Sequence, residues 1–181
     1  MVLLRVTFMI ANNYKTVWVT QLSRRQEMIW NLILASQSLS VFIHPPDIDL
    51  KSAVREGARQ GQLPDLCLID IMHFIRQKQS PYEFCRWCHL NYPEIQIILT
   101  HGTADKVSQA ERLWATKQGA QDLLAGFQLV HLRAEITFGL QRVLEVLDLL
   151  PIDQRQLNSV FGKIQKNLSY KFDDLPELAV Y

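Results

Sequence analysis

The sequence predicts an α/β fold: a doubly wound, five-stranded parallel sheet with an added C-terminal helical segment. Three observations carry this. Short apolar runs alternate with stretches of helical periodicity, an order that builds βα units rather than hairpins. The run Pro64-Asp65-Leu66-Cys67-Leu68-Ile69-Asp70-Ile71 shows no in–out alternation, so it is buried on both faces, as in the middle of a parallel sheet between helix layers. A chain of 181 residues with 48% hydrophobic content suits one domain with a full core.

The elements follow in order. Residues 2–10 and 15–20 are two β-like runs separated by Ala11-Asn12-Asn13-Tyr14 as turn material. Lys15-Thr16-Val17-Trp18-Val19-Thr20, short and β-branched, is the better central first strand, and residues 1–14 read as an arm or an extra edge strand. Ser23 caps a helix whose Met28, Ile29, Leu32 and Ile33 share one face. Leu39 to Ile43 is the second strand, ended by His44-Pro45-Pro46, and a helix from about Asp49 to Gln60 stops at Gly61. The central strand then places Asp70 at its C-terminal edge, where open α/β sheets hold their ligands. A loop over 72–79 follows, holding His73, Arg76 and Lys78. Ser80-Pro81-Tyr82-Glu83 reads as a capping box with Pro at the first helical position. Ile95 to Thr100 is the fourth strand, and a helix from Thr103 or Asp105 runs to Gly119. Leu123-Leu124 lies in a short fifth strand, and a long helix from about Leu129 to Leu149 is broken by Pro151. These elements make one unit over 15–150, with 151–181 as a helical extension.

Composition removes several function classes. A net charge of +1 from 19 basic and 18 acidic residues gives no whole-protein field toward nucleic acid or acidic lipid. The apolar start is too short for a membrane span and lacks the small-residue cleavage site of an export signal. Three cysteines make no disulfide framework, which places the chain in a reducing cytoplasm.

Four segments in the right order, spanning residues 15–148, resemble the receiver domains of bacterial response regulators. Residues 64–72 look like their phosphoacceptor strand, and Tyr82-Glu83-Phe84-Cys85-Arg86 like their third helix. Ile97-Ile98-Leu99-Thr100 resembles the strand with the switch hydroxyl, and Gly119-Ala120-Gln121-Asp122-Leu123-Leu124 the turn into the last strand. The resemblance implies the flavodoxin-like (CheY-like) version of the doubly wound sheet.

The departures from the pattern bear on function. The family phosphorylates its strand-three Asp with Mg²⁺ held partly by an acidic pair after strand one; the matching positions here are Thr20 and Gln21, and an octahedral ion left with Asp70 alone is weakly held. The lysine that clamps the acyl phosphate falls at Gly126, the aromatic rotamer switch at Leu123, and the proline after the acceptor loop at Phe74. Only Asp70 and Thr100 remain of the chemical set. They read either as a residual phosphorylation switch or as a loop cap and a satisfied strand end, and the lost charges favour the second. The resemblance thus implies a pseudo-receiver, of the kind found in bacterial signalling including the cyanobacterial type. Such a chain has no enzyme activity, cofactor or metal, and works by contact with a protein partner.

Other motifs are weaker. Cys85-Arg86-Trp87-Cys88-His89 matches the C-x-x-C-H of haem attachment, but it lies inside a helix and lacks an export signal; zinc lacks a second cysteine pair. His73 and His101 follow Asp70 and Thr100 closely and read as loop histidines at the mouth of the pocket. In the tail, Leu157, Val160, Phe161, Ile164 and Leu168 recur on one helical face that needs covering, by the domain itself, by a second copy or by a partner. A homodimer is the preferred expectation, joining this stripe to the long helix before it. The interaction face is then built around Trp114, Leu123, Leu132, Ile136 and Phe161. Arg155, Lys163, Lys166 and Lys171 leave DNA contact open as an alternative, which the neutral total charge does not favour.

Overall fold

A computed structural model describes residues 14–172, with side chains to residue 168. The remainder of the expected N-terminal arm and the acidic residues Asp173, Asp174 and Glu177 lie outside the described residues. Strands β1 (Thr16–Thr20), β2 (Ser40–Ile43), β3 (Leu66–Asp70), β4 (Gln96–His101) and β5 (Asp122–Ala125) form one all-parallel sheet in the order β2-β1-β3-β4-β5. Helices α1 (Arg24–Ala35), α2 (Leu50–Gln60), α3 (Ile71–Arg76), α4 (Pro81–Asn91), α5 (Gln109–Lys117), α6 (Leu132–Val146) and α7 (Gln154–Phe172) cover it.

Alternate residues of β1, β3, β4 and β5 serve two separate cores, while the edge strand β2 leaves Phe42 exposed. Val17, Val19, Leu66, Leu68, Ile98 and Leu124 pack with α1, α6 and α7. Trp18, Cys67, Ile69, Ile97, Leu99 and Leu123 pack with α2 to α5. Burial of each such side chain stabilises by roughly 1.5–3 kcal/mol, so a one-residue slip of β3, which is buried throughout, would exchange its neighbours on both faces at once. β2 and β3 lie on opposite sides of β1, so the winding reverses there, and this switch point puts the ends of β1, β3 and β4 around one crevice.

Local signals fix the helix ends, not always where the sequence reading puts them. Asp49 accepts from the Lys51 and Ser52 amides at 3.1 and 3.3 Å and starts α2; Gly61, at φ 66°, ends it in a left-handed conformation that glycine adopts without strain. The expected loop over 72–79 is instead the six-residue helix α3, started by Asp70 itself. Ser80 does precede α4 with Pro81 at its first position, but its side chain makes no capping bond, so the predicted box with Glu83 is absent. A capping box does form at Ser108–Glu111, and it delays α5 to Gln109, beyond the expected Thr103 or Asp105. Helix α6 starts at Leu132 rather than Leu129, because the Glu135 carboxylate takes the Gln128 amide and holds the residues before it in a loop.

The tail folds back. Asp153 caps α7 by accepting from Arg155 and Gln156 amides, both at 3.0 Å, and its own backbone pairs with the Gln37 side chain beyond α1. Leu157, Val160 and Ile164 are buried in the core of this chain's own α1 and α6. The apolar stripe that was expected to be joined across a homodimer is therefore covered within one chain.

Candidate functional site

At the C-terminal edge of the sheet Thr20, Gln21, Asp70 and Thr100 come together, each at most 2% exposed. Strand register makes the first neighbours: Thr20 lies beside Ile69, and Asp70 beside Thr100. The Gln21 amide and the Thr100 hydroxyl are hydrogen-bonded, with Oγ1 3.0 Å from Nε2 and 3.2 Å from Oε1. Asp70 uses Oδ1 to accept the Met72 amide at 3.0 Å, which satisfies one of the open N–H groups at the start of α3. Its carboxylate is thus a helix cap, one of the two roles the sequence left open.

Two further residues build the crevice. Gln26, on the buried face of α1, pairs with the backbone of Phe127 as a second peptide would: Nε2 donates to the Phe127 carbonyl at 3.1 Å and Oε1 accepts its amide at 3.0 Å. Gly102, after β4, closes over Asp70, since a Cβ there would lie 2.7 Å from Oδ2. Neither was singled out in the sequence. A signal existed for Gln26, which occupies an apolar stripe with Ile29, Trp30 and Ile33 where a polar side chain needs a buried partner. For Gly102 there was none, because close approach of two loops is a tertiary fact.

Gly126, at the position matched to the clamping lysine, is closed by that same loop. Its amide donates to the Ala104 carbonyl at 3.2 Å, and a Cβ on it would stand 2.8 Å from the Gly102 carbonyl carbon and closer still to the oxygen. A Gly126→Lys variant is accordingly expected to lose about 3 kcal/mol, the upper range for overpacking a dense site. Denaturant titration should show an unchanged slope and a lower midpoint; an undisturbed midpoint would mean that the loops part freely.

The residues do not fit a magnesium ion of the kind the resemblance implies. Thr20 and Gln21 bring no negative charge, Gln21 is engaged by Thr100, and Asp70 is the sole carboxylate of the group. Among the described residues no three or more His, Cys, Asp or Glu gather to hold a metal. The thiols of the C-x-x-C-H motif point inward: Cys85 and Cys88 are buried in α4, and burial pushes both up to about 12, while Arg86 and His89 face outward. Buried Cys67 is raised for the same reason. These thiols lack the thiolate character of a nucleophile or ligand. His73 is not a loop residue at the mouth; it is fully buried on α3.

The expected interaction face is only partly on the surface. Trp114 is exposed and stands edge-on to Tyr82, whereas Leu123 and Ile136 are core residues. Leu132 and Phe161 are half-buried, the latter beneath the Arg133 guanidinium. Leu113, next to Trp114 on α5, is exposed and was not foreseen; Phe138, one of the surplus apolar positions of the long helix, is exposed on α6. The same side of the molecule carries an ion cluster. Asp122, buried at the start of β5, accepts from Arg112 at 2.8 and 2.6 Å, from Arg142 at 2.8 Å and from the Leu123 amide at 2.8 Å. Burial alone would push the Asp122 carboxyl up, but the two guanidinium groups outweigh it and hold it below its ordinary value. The cluster ties α5 to α6 across the sheet edge.

No family model matches the chain, and no curated protein matches its sequence. Solved structures do match its fold. A response regulator from Thermotoga maritima superposes with a TM-score of 0.55 at 16% identity, over 75% of this chain and 98% of that one. A response regulator in red-light signalling of R. palustris gives 0.54 at 12% identity, over 77% and 99%. The class of structure is thereby defined: this chain has the fold of a response-regulator receiver domain, extended by α7. No helix among the described residues is long and apolar enough to cross a membrane.

Proposed function

We propose that the protein is a pseudo-receiver: a non-catalytic, cytoplasmic signalling module that works by phosphorylation-independent contact with another protein. The observation that carries this reading is the bond between Gln21 and Thr100. The hydroxyl that would meet an incoming phosphoryl group is engaged by a neutral amide, at a position where the reaction needs a metal-binding carboxylate. Asp70 is committed to α3 and Gly126 to Gly102, and the Thr20 hydroxyl is buried without a hydrogen-bond partner among the described residues. The contact surface of this proposal is the side formed by α5, β5 and α6, where Leu113, Trp114 and Phe138 are exposed around the Asp122 cluster. A second copy of the chain and an unrelated protein are both partners of the right class.

Incubation with acetyl phosphate and Mg²⁺, followed by intact-mass measurement, tests the reading. The expected result is an unmodified chain. A phosphoryl adduct that disappears in Asp70→Asn would make the protein a phosphorylated regulator instead.

A further inference from the structure

Helix α3 is attached to the connection between β2 and α2 by two side chains. His73 Nδ1 lies 2.9 Å from the Pro46 carbonyl, and Gln77 Nε2 lies 3.2 Å from the Ile48 carbonyl and 3.4 Å from His73 Nε2. The protons of this set can be placed by elimination. A carbonyl only accepts, so Nδ1 carries the hydrogen that bonds Pro46; the Gln77 nitrogen must donate to Ile48, so the amide presents N–H toward Nε2 as well. His73 is then neutral, with Nε2 as acceptor. The ring is fully buried and meets Phe74 edge-on. A second proton on Nε2 would face an N–H donor.

We propose that His73 is a proton-operated latch: gain of a proton at Nε2 sets it against the Gln77 amide and frees α3 from the β2–α2 connection. The charged groups around it are Asp70 at the end of β3 and Asp47 and Asp49 of the connection; all three favour the protonated ring, and burial opposes them and prevails, so the ring titrates below its ordinary 6.5. The sign follows from that depression. The latch contributes its full stability above 6.5 and loses it progressively as pH falls below that value. Opening loosens the seat of Phe74, which is buried against Phe84. Acidification would thus remodel the rim of the crevice without any phosphoryl group.

Amide hydrogen exchange at pH 7.5 and 5.5, corrected for the intrinsic rate, reads the latch directly. In the wild type, protection over residues 44–49 and 71–77 is expected to fall about tenfold between the two values. His73→Asn keeps a donor toward Pro46 but cannot titrate, so its protection should be flat with pH. Gln77→Glu supplies a carboxylate to receive the new proton and should hold the segments closed at pH 5.5. His44, which burial also depresses, is kept in both variants, so the deciding comparison is made on residues 71–77, away from it. Wild-type protection that does not change with pH, or an equal change in the two variants, overturns the proposal; if His73→Asn fails to fold, Gln77→Glu alone decides.

Discussion

Ile164→Asp is expected to lower the melting temperature by about 8–16 °C. Ile164 is fully buried where α7 rests on the domain, within the cluster that includes Leu34, Leu144 and Leu157. Removing its apolar bulk costs about 2–3 kcal/mol, and the carboxylate adds the penalty of a charge with no partner there. The total of about 4 kcal/mol converts at roughly 2–4 °C per kcal/mol for a chain of this size. Differential scanning calorimetry is the direct check. A variant that melts with the wild type would show that α7 contributes no cover to α1 and α6, and would return the helix to the role of a separate arm.

Asp122→Ala should be about as damaging as Gly126→Lys. It leaves Arg112 and Arg142 without their shared acceptor and uncouples α5 from α6. Breaking a buried pair costs roughly 3–5 kcal/mol, but the arginine side chains are 37% and 30% exposed and recover water, so the lower figure, about 3 kcal/mol, applies. The pH profile gives a second signature. Because the folded carboxyl lies below its ordinary 3.8, the wild-type contribution is complete above that value and is lost as pH falls through the folded one. The variant should lack this acid limb. Equal midpoints in urea at pH 7 would mean that the cluster is only a surface arrangement.

The sheet was legible because β3 runs from Leu66 to Ile69 without a polar residue before it ends at Asp70, and because parallel strands must be spaced by helices. Helix α3 was not legible, since six residues show too little periodicity and its start signal, Asp70, is the residue most readily read as chemistry. Leu123 and Ile136 were placed on a surface for a related reason. Helix α6 packs against both the sheet and α7, burying Ile136, Leu140, Val143 and Leu144, and an apolar residue shared between two neighbours looks in sequence like one awaiting a partner. The missing acids at 20 and 21 and the missing lysine at 126 could be read from residue types alone. What replaced them could not: the Gln21–Thr100 and Gln26–Phe127 pairs join positions about 80 and 100 residues apart, at distances that only the folded chain brings to hydrogen-bond length.

The contact between Gly126 and Gly102 also sets the order in which this crevice could be rebuilt. A lysine introduced at 126 would meet the backbone of the loop after β4, and an acidic replacement at 20 or 21 would gain a charge with no ion site complete enough to hold it. Each change made alone is destabilising unless the loop at 102 moves first. The closed loops thus act as a one-way catch: surface positions are free to vary, whereas a phosphate-handling crevice could be installed here only by several coordinated substitutions, with the loop at 102 among the first.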